Sequence, residues 1–232
     1  MKLSIIICAY NEVNTIEKLL NKVLDLKIIN NFEKEILIFD NNSNDGTKEI
    51  LNHYNNLNNI RVFYNKKNIG KGGSIIKSQE YISGNYVVFQ DADLEYDPNN
   101  YNFLLNKLIN DNLDAVYGSR IKQKKNYHIY FLNRIIVQFF SILINLFYGT
   151  KFTDTATNHK LIKSSIFKNL ELKSKSFAID FEISIKLGKL KCKCDEIQIK
   201  YFPRKYKDGK KISIIDSLTS FYVIFKNLFS KK

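Results

Sequence analysis

The sequence has few cysteines and no stretch rich in proline, glycine and serine. Its 232 residues include three cysteines, two prolines and nine glycines. Cys192 and Cys194 form a C-x-C, which lacks the spacing of a zinc ribbon, so free thiols in a reducing compartment are expected rather than a disulfide framework. Since no linker or internal repeat interrupts the chain, we expect one domain over residues 1–232, a length that suits a single α/β unit.

Long uninterrupted hydrophobic runs are also absent from the sequence. The first run, residues 3–9, is too short for a signal peptide and is soon followed by Glu12, so it is interpreted as the first strand of a cytoplasmic protein. The most apolar segment, residues 131–148, contains four polar residues spaced by 4, 3 and 4: Arg134, Gln138, Ser141 and Asn145. A membrane-spanning helix requires about 20 predominantly apolar residues, so an amphipathic helix is predicted instead.

Acidic residues and arginines are both scarce relative to lysine. Lysine and arginine total 36 against 23 acidic residues, and the net charge of +13 predicts a surface that favours anionic partners. Four of the basic residues are arginines: Arg61, Arg120, Arg134 and Arg204. A guanidinium binds phosphate with a planar fork of donors that lysine lacks, so these positions are candidates for phosphate binding. For Arg61 the alternative is an ordinary residue at the end of a strand.

Apolar segments that predict strands alternate with segments of helical periodicity. Strands are predicted at 3–9, 35–40, 61–64, 86–90 and 115–117, and helices at 45–55, 72–82 and 98–110. Another helix is predicted before residue 25, with Asn14 and Glu17 forming a capping box at its start. This alternation predicts βαβ units and a mainly parallel sheet flanked by helices. Ligands of such sheets bind beyond the carboxyl ends of the strands, where Asp40 and Asp91 are expected.

Two amphipathic helices are predicted in the second half of the chain, at about 127–148 and 212–229. Each follows a basic stretch, at 122–125 and 204–211 respectively. Basic residues beside an amphipathic helix suit an anionic membrane surface, so both helices are predicted to lie at such an interface. The alternative is that both helices pack on the sheet or on each other as ordinary core.

Three carboxylates follow the predicted strand 86–90 on alternate residues: Asp91, Asp93 and Glu95. Neighbouring carboxylates repel one another unless a cation lies among them. A bend at the strand end would allow all three to bind one Mg²⁺ or Mn²⁺ ion, since both ions prefer hard oxygen ligands. The alternative is a solvated acidic turn before the helix that starts at Pro98, because D-x-D alone is a common pattern.

Eight stretches in order resemble the family 2 glycosyltransferases. Three of them, "SIIICAYNE", "ILIFDNNSNDGT" and "NKKNIGKGGSI", resemble motifs of the family, and a fourth, "QDADLEYDP", is nearly the D-A-D-L-Q-Y-D-P of one of its branches. The others, "VYGSR", "LNR", "YGTKFTDT" and "YFPRKYKDGKKI", match the branch of dolichyl-phosphate mannosyltransferase and related polyprenyl-phosphate sugar transferases. The resemblance covers essentially the whole chain. It implies a GT-A fold, with a Rossmann-like nucleotide-sugar-binding half at 1–120 and an acceptor-binding half at 121–232.

The same resemblance implies roles for particular residues. The nucleotide would be bound by Ala9, Tyr10, Glu12, Asp40, Lys71 and Asp91. A Mg²⁺ or Mn²⁺ ion would be bound by Asp91, Asp93 and Glu95. The acceptor phosphate would be bound by Arg120, Arg134 and Arg204. The catalytic residues would be Asp91, Asp93, Arg120 and Asp154.

The function that this resemblance implies is the transfer of a hexose, with inversion, from GDP-mannose or UDP-glucose to a polyprenyl or dolichyl phosphate. The second pKa of a phosphate is about 6, so such an acceptor is ionised at neutral pH and needs less help from a base than a hydroxyl does. The expected partners are the nucleotide sugar, the lipid phosphate and an anionic membrane surface, at the cytoplasmic face and without nucleic acid. A membrane-protein partner is left open.

Ala156 departs from the pattern of this branch, which has a glutamate there. The first alternative is therefore a related transferase with a saccharide or other hydroxyl acceptor. It would need a general base, for which the candidates are Asp154, Asp180 and Glu182. The second alternative is a protein that has lost catalysis and binds membranes or nucleic acid through lysine-rich stretches such as 204–211.

Overall fold

Seven strands form one sheet in the computed structural model, which describes residues 1–55, 57, 59–122, 131–204 and 214–229. In chain order they are β1 (Lys2–Ala9), β2 (Glu33–Asp40), β3 (Ile60–Tyr64), β4 (Tyr86–Asp91), β5 (Ala115–Ser119), β6 (Lys160–Lys163) and β7 (Cys194–Gln198). Their order across the sheet is β3-β2-β1-β4-β6-β5-β7. Only β6 runs antiparallel to its neighbours, so the predicted mainly parallel sheet is confirmed.

Helices cover both faces of this sheet. They are α1 (Ile16–Asp25), α2 (Thr47–Tyr54), α3 (Gly70–Ser78), α4 (Asn100–Asn110), α5 (Phe131–Tyr148), α6 (Ser164–Phe167), α7 (Ile179–Lys189) and α8 (Ile214–Phe229), with a 3-10 turn at Ile29–Asn31. The predicted helices at 45–55 and 98–110 correspond to α2 and α4. The predicted helix at 72–82 corresponds to α3, which starts two residues earlier and ends at Ser78.

The central strand β1 is apolar on both sides because both faces of the sheet are covered. Ile5 and Ile7 lie in the core beneath α1 and α4, whereas Ile6 lies in the core beneath α3 and α7. All three side chains are completely buried. A strand between two helical layers needs such a continuous apolar run, since successive side chains point to opposite faces.

The predicted capping box at the start of α1 is wrong. The helix begins at Ile16, and no side chain caps its first turn. Instead, the carbonyl oxygen of Glu12 accepts hydrogen bonds from the backbone N–H groups of Thr15 and Ile16, at 3.0 and 2.9 Å. The Thr15 hydroxyl in turn donates to the Glu12 carboxylate at 2.9 Å. Glu12 therefore orders the start of the helix, which leaves Asn14 without a capping role.

The register of the parallel strands fixes the position of the candidate site. Ala9 pairs with Asp40 at the end of β1 and β2, and Cys8 pairs with Asp91 at the end of β4. The three strands therefore end at the same edge of the sheet. Asp40 and Asp91 lie there, as the sequence predicts.

Helix α3 packs directly against the backbone of residues 174–175. A Cβ atom added at Gly72 would overlap the carbonyl oxygen of Ser174, so only glycine allows this approach. The segment is fixed in turn by Glu182, whose carboxylate accepts hydrogen bonds from the N–H groups of Lys173 and Ser174 at 3.0 and 2.7 Å. This packing places α3 beside α7.

Helices α5 and α8 pack against α7 through one face only. Phe140, Ile144 and Ile224 are buried there, so the core alternative holds for that face. Two residues of the predicted polar stripe of α5 also face the protein. The Asn145 side chain donates to the Phe152 carbonyl at 2.7 Å and accepts from its N–H at 2.9 Å, and the Ser141 hydroxyl lies 2.9 Å from that of Thr155.

The other face of α5 is apolar and exposed. Its exposed side chains are Ile135, Ile136, Phe139, Ile142, Leu146 and Phe147. Within the described part of the chain, no helix is both long and apolar enough to cross a membrane. The basic stretches at 123–125 and 205–211 lie outside the described residues. The division of the chain into two functional halves stays a prediction.

The close approach at Gly72 predicts that Gly72→Ala destabilises the protein by about 1–3 kcal/mol, because the added methyl group must displace backbone atoms. The control is Gly73→Ala in the same helix, where the new atom meets only the side chain of Ile69 at 3.1 Å. Urea unfolding of both variants measures the difference. Equal midpoints for the two variants would contradict this account of the α3 contact.

Candidate active site

The residues predicted to bind the nucleotide lie at the carboxyl edge of β1 and β2. Asp40 is fully buried, and its carboxylate accepts a hydrogen bond from the N–H of Ser43 at 3.2 Å. Ala9 is buried at the end of β1, and Tyr10 beside it remains 38% exposed. Glu12 completes the group, two residues further along the chain. A buried carboxylate and a partly exposed ring at one edge can recognise a flat, hydrogen-bonding base.

The carboxylates of Asp91, Asp93 and Glu95 do not converge on a single point where all three could bind one metal ion. The chain turns at Leu94, whose φ is +63°. Beyond the turn, the Glu95 carboxylate accepts hydrogen bonds from the Tyr201 hydroxyl and, at 2.8 Å, from the backbone N–H of Arg204. Among the described residues, no group of three His, Cys, Asp or Glu side chains is close enough to hold a metal ion.

Asp91 and Asp93 are the more open members of this set, with side chains 23% and 15% exposed against 8% for Glu95. Burial together with the carboxylates of Asp91 and Glu95 raises the pKa of Asp93 to about 7. Two neighbouring carboxylates contribute to this shift, and a cation bound beside them would oppose it. The oxygen ligands of Asp91 and Asp93 therefore fit a hard divalent cation, whereas the Glu95 carboxylate is directed at residues 201–204.

Arg204 lies between the predicted nucleotide residues and the D-x-D. Its guanidinium donates to the two carboxylate oxygens of Glu12 at 3.0 and 3.2 Å, and to Asp93 at 3.1 Å. Its side chain is 17% exposed. The structure thus places this arginine, predicted to bind the acceptor phosphate, between Glu12 and Asp93.

Lys71 is directed at two carboxylates, one of which belongs to Asp91, another predicted nucleotide-binding residue. Its buried ammonium lies 2.9 Å from Asp180 and 3.4 Å from Asp91. Burial alone would lower the pKa of Lys71, but these two carboxylates outweigh burial and raise it. The Asp180 carboxylate is also 3.1 Å from the ammonium of Lys160, a fully buried residue that the sequence reasoning missed. Its only sequence signal is a charged residue beside the apolar pair Leu161–Ile162.

Arg120 is fixed by Asp154. Two guanidinium nitrogens donate to the Asp154 carboxylate at 2.7 and 2.8 Å, and the Arg120 backbone N–H donates to it at 3.0 Å. The guanidinium carbon also lies 5.2 Å from the centre of the Tyr201 ring. Asp154 is completely buried, so its geometry suits orienting Arg120 rather than contacting a substrate. Arg134 lies in the first turn of α5 with a half-buried side chain.

The three carboxylates considered as a general base are all engaged inside the protein. Asp154 accepts from Arg120, Asp180 is bound to Lys71 and Lys160, and Glu182 accepts from backbone N–H groups. The relative exposure of these three residues is 0%, 4% and 2%. None of them presents a free carboxylate to a hydroxyl acceptor. The roles assigned to the individual site residues stay predictions.

Asp154→Asn is expected to destabilise the protein by about 3 kcal/mol or more, because it leaves the buried Arg120 guanidinium without its counter-charge. The matched control is Glu33→Gln, which removes one partner of the exposed 3.9 Å ion pair with Lys2 and should leave the unfolding midpoint unchanged. Guanidinium-chloride unfolding measures both. Similar midpoints for the two variants would show that the Arg120–Asp154 pair is not structurally important.

The sequence matches the family Glycosyl transferase family 2 over residues 4–171. An uncharacterized protein of Methanocaldococcus jannaschii is 29% identical over 79% of this chain and 81% of its own length. The dolichyl-phosphate beta-glucosyltransferase of Dictyostelium discoideum is 28% identical over 86% of this chain. The alignment covers 66% of that protein's own length.

The fold is similar to that of solved glycosyltransferases. Glucosyl-3-phosphoglycerate synthase from Mycobacterium tuberculosis, solved with Mn²⁺, UDP and phosphoglyceric acid, superposes with a TM-score of 0.72 at 14% identity. The superposition covers 100% of this chain and 80% of that one. At this identity the similarity concerns the fold alone, and it confirms the predicted GT-A architecture. The chain therefore belongs to glycosyl transferase family 2.

Proposed function

We propose that this glycosyltransferase moves a hexose from a nucleotide diphosphate sugar to a polyprenyl phosphate. The observation that carries the proposal is that Asp154, Asp180 and Glu182 are buried and already bound inside the protein. A hydroxyl acceptor needs a base to remove its proton. A phosphate monoester, with a second pKa of about 6, is already ionised at neutral pH and needs none. The site therefore suits a phosphate acceptor better than a saccharide.

The name of one relative supports the same acceptor class. The Dictyostelium discoideum relative is a dolichyl-phosphate beta-glucosyltransferase, and its alignment covers most of this chain. By analogy with that protein, a lipid-linked phosphate is the natural acceptor.

The donor is proposed to bind at the edge of β1 and β2. The Asp40 carboxylate would accept a hydrogen bond from a base N–H, and Glu12 would accept from ribose hydroxyls once Arg204 moves aside. Both GDP-mannose and UDP-glucose are candidate donors, because both bases offer an N–H to a carboxylate. The M. tuberculosis neighbour was solved with UDP, which supports a nucleotide donor in general terms.

A Mg²⁺ or Mn²⁺ ion is proposed to be held by Asp91 and Asp93. Bound there, it would neutralise the charge that develops on the departing diphosphate. Glu95 is proposed to act on the site through Tyr201 and Arg204, whose positions it fixes.

The acceptor phosphate is proposed to bind to the cationic side of the site. Asp154 orients Arg120 with two hydrogen bonds, and Arg204 and Arg134 would complete the phosphate-binding set. Held there, an acceptor oxygen would attack the anomeric carbon from the face opposite the diphosphate, which inverts the configuration. The cations lower the repulsion between two phosphate-bearing substrates, so the protein contributes mainly orientation and charge.

We also propose that α5 lies on the cytoplasmic surface of a membrane. Two residues of its polar stripe are bonded to the protein, and the face left exposed is the apolar one, including Leu146 at 76% and Ile142 at 63% exposure. The sequence places lysines at 122, 124 and 125, shortly before the helix. An apolar face beside basic residues fits a vesicle of anionic lipids, where a lipid-linked acceptor would also reside.

The test of the reaction measures nucleoside diphosphate release from GDP-mannose and UDP-glucose, with Mn²⁺, in the presence or absence of a short-chain polyprenyl phosphate. Release is expected to require the lipid and to fall about 100-fold or more in Asp93→Ala, the scale at which loss of one electrostatic stabiliser lowers kcat. The control is Glu80→Ala, which removes an exposed carboxylate beyond the end of α3. Removal of metal with EDTA should have the same effect as Asp93→Ala.

Other outcomes of this assay would contradict the proposal in distinct ways. Release stimulated by a saccharide but not by the lipid phosphate would establish a hydroxyl acceptor. If none of the nucleotide sugars yields nucleoside diphosphate, the result would favour a protein that has kept the fold without the reaction.

The membrane proposal predicts that Leu146→Glu lowers the partition of the protein into phosphatidylglycerol-containing vesicles about tenfold or more, because it places a charge on the apolar face. Phe103→Glu in α4 is the control, since Phe103 is 65% exposed but lies on a different helix. Sedimentation with the vesicles measures both. An equal loss for the two variants would mean that α5 has no special part in membrane binding.

A further inference from the structure

Four charged side chains form a continuous row that starts at Asp91 of the D-x-D and runs into the protein. Asp91 is at the end of β4, Lys71 in α3, Asp180 in α7 and Lys160 in β6. The Lys71 ammonium is 3.4 Å from Asp91 and 2.9 Å from Asp180, and the Lys160 ammonium is 3.1 Å from Asp180. Side-chain exposure falls along the row from 23% at Asp91 to 0% at Lys160. The proposed reaction uses Asp91 but assigns no part to Lys160 or Asp180.

The distances show a competition for Lys71. One ammonium lies between two carboxylates and is closer to Asp180 than to Asp91 by half an ångström. If the Lys71 ammonium were bound tightly to Asp91, it would neutralise the carboxylate that a divalent cation needs. It would also repel the cation, and this repulsion is strong away from bulk water. The Asp180 carboxylate draws this ammonium toward itself and away from Asp91.

We infer that Asp180 is a positioning residue, which holds Lys71 back from Asp91 and so keeps the Asp91 carboxylate able to bind a divalent cation. The inference rests on the proposed use of a metal ion by Asp91 and Asp93. Lys160 has the opposite effect on the position of Lys71. It also binds the Asp180 carboxylate, and so weakens the attraction of Asp180 for Lys71. The row therefore sets the charge available at the metal site from three residues that are less exposed than Asp91.

Two substitutions separate this role from a purely structural one. Asp180→Asn and Lys160→Met both break the same buried ion pair, so a structural role predicts that both weaken the site. The competition for Lys71 predicts opposite effects. In Asp180→Asn, Lys71 is released to Asp91 and metal binding weakens. In Lys160→Met, Asp180 attracts Lys71 more strongly, and metal binding is unchanged or tighter.

The experiment titrates Mn²⁺ into the full chain with UDP or GDP and follows the loss of the free-ion signal by electron paramagnetic resonance. Asp180→Asn is expected to raise the Mn²⁺ dissociation constant about tenfold or more, the effect of one unit of nearby buried charge. Lys160→Met should not raise it, and Asp180→Glu should stay close to the wild type because it keeps the carboxylate. Adding Lys71→Met to Asp180→Asn should restore binding, because it removes the competing ammonium.

Each contrary outcome overturns the inference. A weaker affinity in Lys160→Met, matching that of Asp180→Asn, would show a structural role alone, and so would failure of Lys71→Met to restore binding. If Asp180→Asn does not fold, the Lys160→Met and Asp180→Glu results decide by themselves. If the wild type binds Mn²⁺ and Asp180→Asn binds it with the same affinity, the inference is wrong but the proposed function stands. Absence of Mn²⁺ binding in the wild type overturns both the inference and the proposed metal use.

Discussion

Burying acidic side chains at the edge of the sheet is unfavourable, and the fold compensates by bringing a cation to them. Lys71 meets Asp91 and Asp180, Arg120 meets Asp154, and Arg204 meets Glu12 and Asp93. An ionised carboxylate buried without such a partner would destabilise the protein by several kcal/mol. These pairs leave the carboxylates of Asp91 and Asp93 partly exposed at the edge of the sheet, each with a cation nearby.

The second half of the chain adds cationic side chains and an exposed apolar helix face to the same sheet. Strands β6 and β7 extend the sheet past β4, and α7 supplies the carboxylates that fix Lys71 and the segment at 173–174. Helix α5 packs on α7 and turns two residues of its polar stripe toward the protein. The exposed face of α5 that results is apolar.

Local sequence patterns predicted most of the sheet and the helices of the first half, because each element there has a complete periodic signal. β6 and β7 were missed. β6 begins with the buried Lys160, and β7 is a half-exposed strand with two acidic residues, so neither has the apolar run that marks a strand. The predicted capping box is wrong for a different reason: the carbonyl oxygen of Glu12 accepts the hydrogen bonds from the N–H groups at the start of α1.

The sequence alone predicts the family, a mainly parallel sheet and the edge at which Asp40 and Asp91 meet, because these follow from motifs and short-range periodicity. Tertiary structure alone decided which cation meets which carboxylate. Arg204 and Glu12 are 192 residues apart, and Lys71 and Asp180 are 109 apart. No local pattern encodes such pairs, since their geometry depends on how α3, α7 and the segment after β7 pack around the sheet. That packing pairs Lys71 with Asp180 and Asp154 with Arg120, contacts that the sequence did not predict.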